Sequence, residues 1–253
     1  MDNQDYIRRA RKTLKEGLSL GDLITKLVNL IDETERAENT LFEAIYDLYF
    51  MYYPEAAALL KERDEFIATI SGGVDRVDVG NVLKISVESM GYDLSGDDRS
   101  LLNLHVNELK NLSDMKNFTK TYLEKVIREN YPNIYEVAGY MVAARLIMLS
   151  GGLKPLAFMP SSKVQILGAE KALFSHFRKG KSSPKYGVIF KIPTIEGAPQ
   201  EKRGKIARVL ASKISMAAKL DLFSKKDGSA ILKEKLEEEI DRIMKNGTKK
   251  SYR

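Results

Sequence analysis

Cysteine and tryptophan are absent from the 253 residues, and histidine occurs only twice, at His105 and His176. Without thiols the chain can form no disulfide, offer no thiolate nucleophile and build no cysteine-ligated metal site. The two histidines are far apart with no cysteine beside either, so no zinc-ligand set is in view. Lack of cysteine agrees with a reducing compartment and is also common in heat-adapted proteins. Long apolar runs are missing too. The longest, Val137 to Leu149, is interrupted by Arg145 and falls short of the roughly 20 residues that a membrane-spanning helix needs. Charges at Asp2, Asp5, Arg8, Arg9, Arg11 and Lys12 stand where a secretory leader would be apolar. The expectation is a soluble, intracellular protein.

Enzyme signatures are equally scarce. No Gly-x-Ser-x-Gly, His-Glu-x-x-His or Gly-x-Gly-x-x-Gly occurs. The nearest approach to a phosphate loop is Gly197 to Gly204-Lys205-Ile206, with six residues between its glycines. A Walker loop has four there and a Ser or Thr after the lysine to hold magnesium. No catalytic residue, metal or cofactor is expected, and a stand-alone nuclease or methyltransferase would need clustered carboxylates or a cofactor loop that the chain does not offer.

What the chain does have is charge, divided unevenly. Residues 1–160 carry 19 Lys and Arg against 25 Asp and Glu; residues 161–253 carry 22 against 10, a net of +12. An acidic first part joined to a basic second part suggests two tasks, with a polyanion drawn to the second. With 43% hydrophobic residues there is also ample material for a core.

Apolar spacing organises the first part. After a short charged helix over 4–17, a long helix is expected from Asp22, read as its N-cap, to Tyr52. Ile24, Leu27, Ile31, Thr34, Glu38, Leu41, Ile45, Leu48 and Tyr52 step by three and four, a heptad seam. Thr34 and Glu38 interrupt it, as polar residues that fix register or partner do. A second long helix, Arg99 to Asn130, has the seam Leu102, His105, Leu109, Leu112, Lys116, Thr119, Leu123 and Val126. The pair reads as an elongated antiparallel arm, although helix-bundle cores share this spacing. Between them, Glu55 to Ile70 is expected as a helix ending at Ser71-Gly72-Gly73, and Gly91 to Asp98 as a loop. Beyond Tyr131-Pro132-Asn133 the expected elements are helices Glu136 to Ser150, capped by Gly151-Gly152, and Leu167 to Lys179. There follow a β-rich or extended run Gly187 to Phe190, a polar loop Gly197 to Lys202, a helix Gly204 to Asp221, a charged helix 229–245 and a basic tail with Lys249, Lys250 and Arg253. The fold class is mainly α, divided as linker 1–21, coiled-coil arm 22–130, helical domain 131–245 and tail 246–253.

Candidate binding residues gather in the basic part: Glu170, Lys171, Phe174, His176, Arg178, Lys185, Lys191, Arg203, Lys205 and Arg208. Basic side chains at turns and helix starts, together with backbone N–H groups, make phosphate-binding corners. Phe174, Tyr186 and Phe190 are rings on which an unpaired base could stack, or core residues.

Several ordered blocks carry a resemblance. Gly168-Ala-Glu-Lys-Ala-Leu-Phe174, Pro184-Lys-Tyr-Gly-Val-Ile-Phe190 and Arg203-Gly-Lys-Ile-Ala-Arg208 with Ala211-x-Lys213 are similar to the signature of the Nop domain family. Upstream, Val142-Ala-Ala-Arg-Leu-Ile147, Gly151-Gly152-Leu153, Val164 to Leu167 and Tyr53-Pro54-Glu55 also resemble it, so the likeness covers roughly residues 20–225. It implies a coiled-coil arm followed by an all-helical Nop domain in the archaeal-type core protein of box C/D guide ribonucleoproteins. The arm would pair two copies, with Ile24, Leu27, Ile31, Leu41, Ile45, Leu48, Leu109 and Leu112 as the pairing residues. The domain would bind a kink-turn guide RNA together with its small ribosomal-like binding protein, with Gln165 and Ser175 also among the contacting residues and without catalysis of its own. The methylating enzyme of such particles is of fibrillarin type. In longer members an N-terminal domain ahead of the arm binds fibrillarin, so fibrillarin is expected to join only where the full-length protein has such a domain. Ser175 stands where the family commonly has Arg, and Lys191-Ile192 where it often has a His-containing pair. The resemblance extends to a spliceosomal relative, and a purely structural coiled-coil adaptor is the other reading. Location would be cytoplasmic in an archaeon and nucleolar in a eukaryote.

Overall fold

The computed structural model describes residues 5–7, 11, 18–179, 185–224 and 227–245. The side chains of Ser175 and His176, most of the expected helix 4–17, Pro184 and the basic tail lie outside the described residues. Every regular element among the described residues is helical, and none is long and apolar enough to cross a membrane. The chain divides into two compact units, Asn29–Lys120 on one hand and Met1–Val28 with Thr121–Arg253 on the other.

The first unit is built on parts of two long helices, α1 (Leu20–Tyr52) and α5 (Gly96–Asn130). Between them lie α2 (Pro54–Ala57), α3 (Arg63–Ile70) and α4 (Arg76–Leu83). Both long helices start with the same device. The Ser19 and Ser95 hydroxyls donate to Asp22 and Asp98, at 2.7 and 2.6 Å, and accept from the amides of those aspartates. This is a reciprocal capping box, so the cap of α1 is Ser19, and Asp22 is its third-residue partner instead of the cap itself. The hydrogen bond from serine holds each aspartate below the usual carboxylate range.

Ile45, Tyr49, Tyr52, Leu102, Val106 and Leu109 share one core with Phe66 and Ile70 of α3. Ascending positions in α1 meet descending ones in α5, so the pair is antiparallel. At the seam's middle the apolar pattern gives way to a buried ionic layer. Lys116 donates to Glu38, a carboxylate wholly removed from water, and lies 3.2 Å from Glu35. Arg63 comes within 3.3 Å of both Glu35 and Glu38. Burial pushes the Glu35 carboxyl up, but the hydrogen bond and charge of Lys116, with those of Arg63, bring it below its ordinary value. Thr34 and Thr119, also buried, turn their hydroxyls back to the carbonyls of Leu30 and Met115. Glu38 and Lys116 thus pair with each other within a single chain, the two threonines bond to their own helices, and His105, expected in the second seam, is exposed.

The seam residues divide accordingly. Ile24, Ile31, Ile45 and Leu109 are buried inside the chain, whereas Leu27, Leu41, Leu48 and Leu112 keep part of their surface open. The single heptad read from the sequence merges two on α1. Positions 24, 28, 31, 38, 45, 49 and 52 face inward. Leu23, Leu27, Leu30, Thr34, Ala37, Leu41, Ala44, Leu48 and Met51 make the second, of which all but Thr34 are exposed or half-buried. Ile24, Ile31, Ile45 and Leu109 are therefore not a free pairing surface.

At the far end of α1 the expected Gly91–Asp98 loop is strapped down, and its last part opens α5. Arg76 donates to the Tyr52, Gly91 and Tyr92 carbonyls, at 2.6, 3.0 and 3.1 Å, and to Asp93 at 2.6 Å, capping α1. A Cβ at Gly91 would stand 2.1 Å from the Tyr52 carbonyl, so no other residue fits the approach.

The second unit contains α6 (Pro132–Ala138), α7 (Tyr140–Ser150), α8 (Leu153–Phe158), α9 (Ser161–Ile166), α10 (Glu170–Lys179), a 3₁₀ turn Val188–Lys191, α11 (Pro193–Glu196), α12 (Gln200–Lys219) and α13 (Ser229–Lys245). Helix α12 is the spine, packing against α6, α8, α9 and α13. Its buried face, with Ala207, Ala211, Ala217 and Ala218 among Ile206, Leu210 and Ile214, is small enough to admit close neighbours. Four expectations change. The helix expected over Glu136 to Ser150 is two, broken at Gly139; the Gly197–Lys202 loop ends at Pro199, where α12 begins; the helix expected from Leu167 starts at Glu170; and Gly187–Phe190 leads into a 3₁₀ turn instead of a strand. A one-turn π segment, Leu220–Ser224, ends α12. Within it the buried Asp221 accepts from the amides of Asn133 and Ile134, at 3.1 and 2.9 Å, and from the Asn133 side chain at 2.7 Å. Burial raises its pKa despite these hydrogen bonds.

Removing one member of the ionic layer strands a buried charge, a loss of about 3–5 kcal/mol, whereas replacing both by apolar residues is often neutral or favourable. Lys116→Ala is therefore expected to lower stability by that amount in urea denaturation, and Glu38→Leu with Lys116→Leu to restore most of it.

Candidate nucleic-acid interface

The basic candidates lie on α10 and on the segment where α9, the 3₁₀ turn and α12 pack together. The local chain path explains how. The Gly187 amide donates to the Gln165 carbonyl at 2.8 Å and the Val188 amide to the Leu167 carbonyl at 2.8 Å. A Cβ at Gly187 would lie 1.9 Å from the Leu167 oxygen, so only glycine lets the two strands of chain touch. The Gln165 side-chain amide donates to the Lys185 carbonyl at 2.6 Å. Gln165 is thus a clamp on the backbone of 185–188. Glu170 has a similar local task, its carboxylate accepting from the Gly168 amide at 2.8 Å at the turn into α10.

On α10, Lys171, Phe174 and Arg178 are spaced by three and four residues, share one helix face and are all exposed; Phe174 is 67% open to solvent. A ring of that size, left uncovered between two cations, suits a base stacked between phosphate contacts. Ser175 lies on the same helix, with its side chain outside the described residues.

The other aromatics are engaged within the protein. Tyr186 and Phe190 stack with centroids 4.7 Å apart and planes 12° from parallel, and the Arg203 guanidinium lies 5.5 Å from the Phe190 centroid. Arg203 also donates to the carbonyls of Ala198 at 2.7 Å and Glu196 at 2.8 Å. It ties the turn after α11 to the first turn of α12, which makes it a support of the surface. Lys185 runs beside Gly204, whose Cβ would meet the lysine stem at 3.8 Å. Lys185, Lys191, Lys205 and Arg208 are all exposed, with Lys205 and Arg208 three apart on one face of α12. Two other lysines of this helix have structural partners: Lys213 is buried against Glu239 at 2.7 Å, and Lys202 donates to the Met244 carbonyl at 2.6 Å. One groove of this unit, about 640 Å³ and lined by residues such as Tyr131, Gly152, Lys154 and Asp221, contains none of the candidates. Among the described residues no cluster of metal-ligating side chains occurs.

A helical scaffold that turns cations and an open ring to solvent defines a class: a helical nucleic-acid-binding protein. The chain belongs to the Nop family, whose profile, described as "snoRNA binding domain, fibrillarin", matches residues 30–246. It is 34% identical over 235 residues to an uncharacterised NOP5 family protein of Methanocaldococcus jannaschii, covering 87% of this chain and 56% of that one. To nucleolar protein 56 of Homo sapiens it is 30% identical over 238 residues, covering 87% and 40%. The chain thus spans about two fifths to a little over half the length of these relatives. A solved fibrillarin/Nop5p complex contains a chain of the same fold, with a TM-score of 0.58, 24% identity and coverage of 96% of this chain and 80% of that one.

Arg203→Ala removes the donor to the part-buried Ala198 carbonyl, a loss of about 1–3 kcal/mol, whereas the Glu196 carbonyl is exposed and turns to water. Thermal denaturation is expected to show clear destabilisation for Arg203→Ala and an unchanged midpoint for Lys205→Ala.

Proposed function

We propose that this protein is a non-catalytic scaffold of a box C/D guide ribonucleoprotein. It binds a kink-turn RNA together with the small ribosomal-like protein that recognises the same RNA. The observation that carries this reading is the open Lys171–Phe174–Arg178 face of α10, together with the exposed Lys185, Lys191, Lys205 and Arg208 of the same unit. A composite partner suits such a site: the ring needs an unpaired base held out of its helix, and the scattered lysines need a backbone of defined path. Gln165, Glu170 and Arg203 hold the chain segments that present the cations. Ribose methylation itself belongs to a fibrillarin-type enzyme, recruited through a domain of the kind that precedes the arm in longer relatives. Its place in the cell follows the particle, the cytoplasm of an archaeon or the nucleolus of a eukaryote.

The same reading includes pairing of two copies through the arm. The outer stripe of α1 supports it: Leu30 and Met51 are 47% and 49% exposed, with Ala37, Leu41, Ala44 and Leu48 between them at heptad spacing. Small residues alternating with leucines allow a second helix to approach closely.

In an electrophoretic shift with a kink-turn RNA pre-bound to its small protein, wild type is expected to bind, and Lys171→Ala and Lys205→Ala to bind more weakly. Absence of any shift by the wild type would overturn the reading. In sedimentation experiments, Ala37→Glu with Ala44→Glu is expected to give a folded monomer, since both positions are exposed and Glu is a good helix former. A dimer that survives both charges would move the interface elsewhere.

A further inference from the structure

Two more phenylalanines, Phe158 and Phe223, lie open to water, each 64% exposed, on a part of the helical unit that holds none of the residues discussed above as RNA contacts. They are 65 residues apart in sequence, yet their rings meet edge to face with centroids 5.7 Å apart. Exposed aromatic pairs are costly to leave uncovered, and a contiguous apolar patch on a polar surface marks a binding site. This pair is also held firmly. Phe158 ends α8, which packs on α12 and on the π turn. Phe223 belongs to that turn, two residues after Asp221, whose carboxylate is anchored on the first amides of α6.

Charge decides what the pair suits. Each ring has a lysine four residues before it, Lys154 ahead of Phe158 and Lys219 ahead of Phe223. Both lysines are exposed, and among the described residues neither is paired with a carboxylate. The arrangement therefore repeats one unit twice: an open ring with a cation one helical turn behind it. A stacking surface and a phosphate contact recurring together match successive nucleotides of a single strand, and stacking of this kind tolerates any base. An apolar protein segment would be served by the rings but would gain nothing from the two cations.

We propose that Phe158 and Phe223, with Lys154 and Lys219, form a second RNA contact that binds a short single-stranded stretch without base preference, separate from the kink-turn face. The contact requires no paired RNA and no partner protein. It would hold an unpaired part of the guide strand or its target against the module.

The test is fluorescence anisotropy of a labelled decauridine, which cannot form a kink-turn, with the full chain. Phe158→Ala and Phe223→Ala are each expected to weaken binding about tenfold, in line with the loss of one stacked base, and Phe→Trp at either position to retain it. Lys154→Ala with Lys219→Ala is expected to reduce the steepness of log K against log salt by about 0.7 per lysine. Both rings are solvent-exposed, so the variants should keep the wild-type melting temperature. Lys171→Ala with Lys205→Ala should bind decauridine normally while losing the kink-turn complex, which separates this site from the other. Failure of the wild type to bind decauridine would overturn the proposal, as would unchanged affinity in both phenylalanine variants. If those variants altered self-association instead, the patch would be a protein-docking surface and the proposal would fall.

Discussion

The Glu38 side chain is wholly buried and paired with two basic groups, and the arm is arranged around that layer. Lys116 reaches the carboxylate from the opposite helix and Arg63 from the segment between them. Two oppositely charged groups in an apolar seam tolerate only the register in which they meet, because any slip leaves both desolvated and unpaired. The layer contributes little net stability compared with leucines in the same place. What it secures is alignment: with Glu38 opposite Lys116, Ile45 falls level with Leu109 and Tyr52 with Leu102. Every apolar contact in this unit inherits its partner from that register.

The register also settles which side of α1 is left over. Once the inward heptad is used inside the chain, the second heptad, one residue out of phase, is covered only in part: Leu41 and Leu48 lean on the core, while Leu30, Ala37, Ala44 and Met51 stay exposed. A helix with one apolar stripe is complete when it packs on its neighbour. A helix with two stripes packs its core with one and has the other to offer to a second helix, as proposed for the arm. Leucines alternating with Ala37 and Ala44 suit the second role, since they leave room for another helix.

In the basic unit the same economy appears with opposite sign. Cations that serve the fold are turned inward or bonded to backbone: Lys213 to Glu239, Lys202 to a carbonyl of α13, Arg203 to two carbonyls before α12. Cations left in water include Lys171 and Arg178 on α10 and Lys205 and Arg208 on the exposed face of α12. Phe174 remains uncovered between the two on α10, while Tyr186 and Phe190 stack on each other. A protein surface that neutralises phosphates gains affinity from counterion release, and it needs its basic groups free for that purpose.

Much of this was legible in the residues themselves. Apolar spacing predicts both long helices, charge counts locate the basic part, and the absence of thiols and nucleotide loops directs attention away from enzymes. The resemblance of Gly168–Phe174 and Arg203–Arg208 to one family points to RNA. Local rules were less secure at boundaries. Asp22 looks like a cap until Ser19 is seen to hold that position, and Gly187 to Phe190 looks like a strand because its β-favouring side chains conceal a glycine that must touch the Leu167 carbonyl. Spacing alone could not separate the two interleaved heptads, because positions one residue apart on a helix differ by only 100°. It could not tell a basic residue that binds phosphate from one that braces a turn, and it could not join Phe158 to Phe223. By itself the sequence determined the helices, their polarity and the sign of each half, since these depend on side chains a few positions apart. Only the tertiary structure decided which seam is spent inside the chain, which cations remain in water and which rings meet, because desolvation depends on neighbours that are distant in sequence.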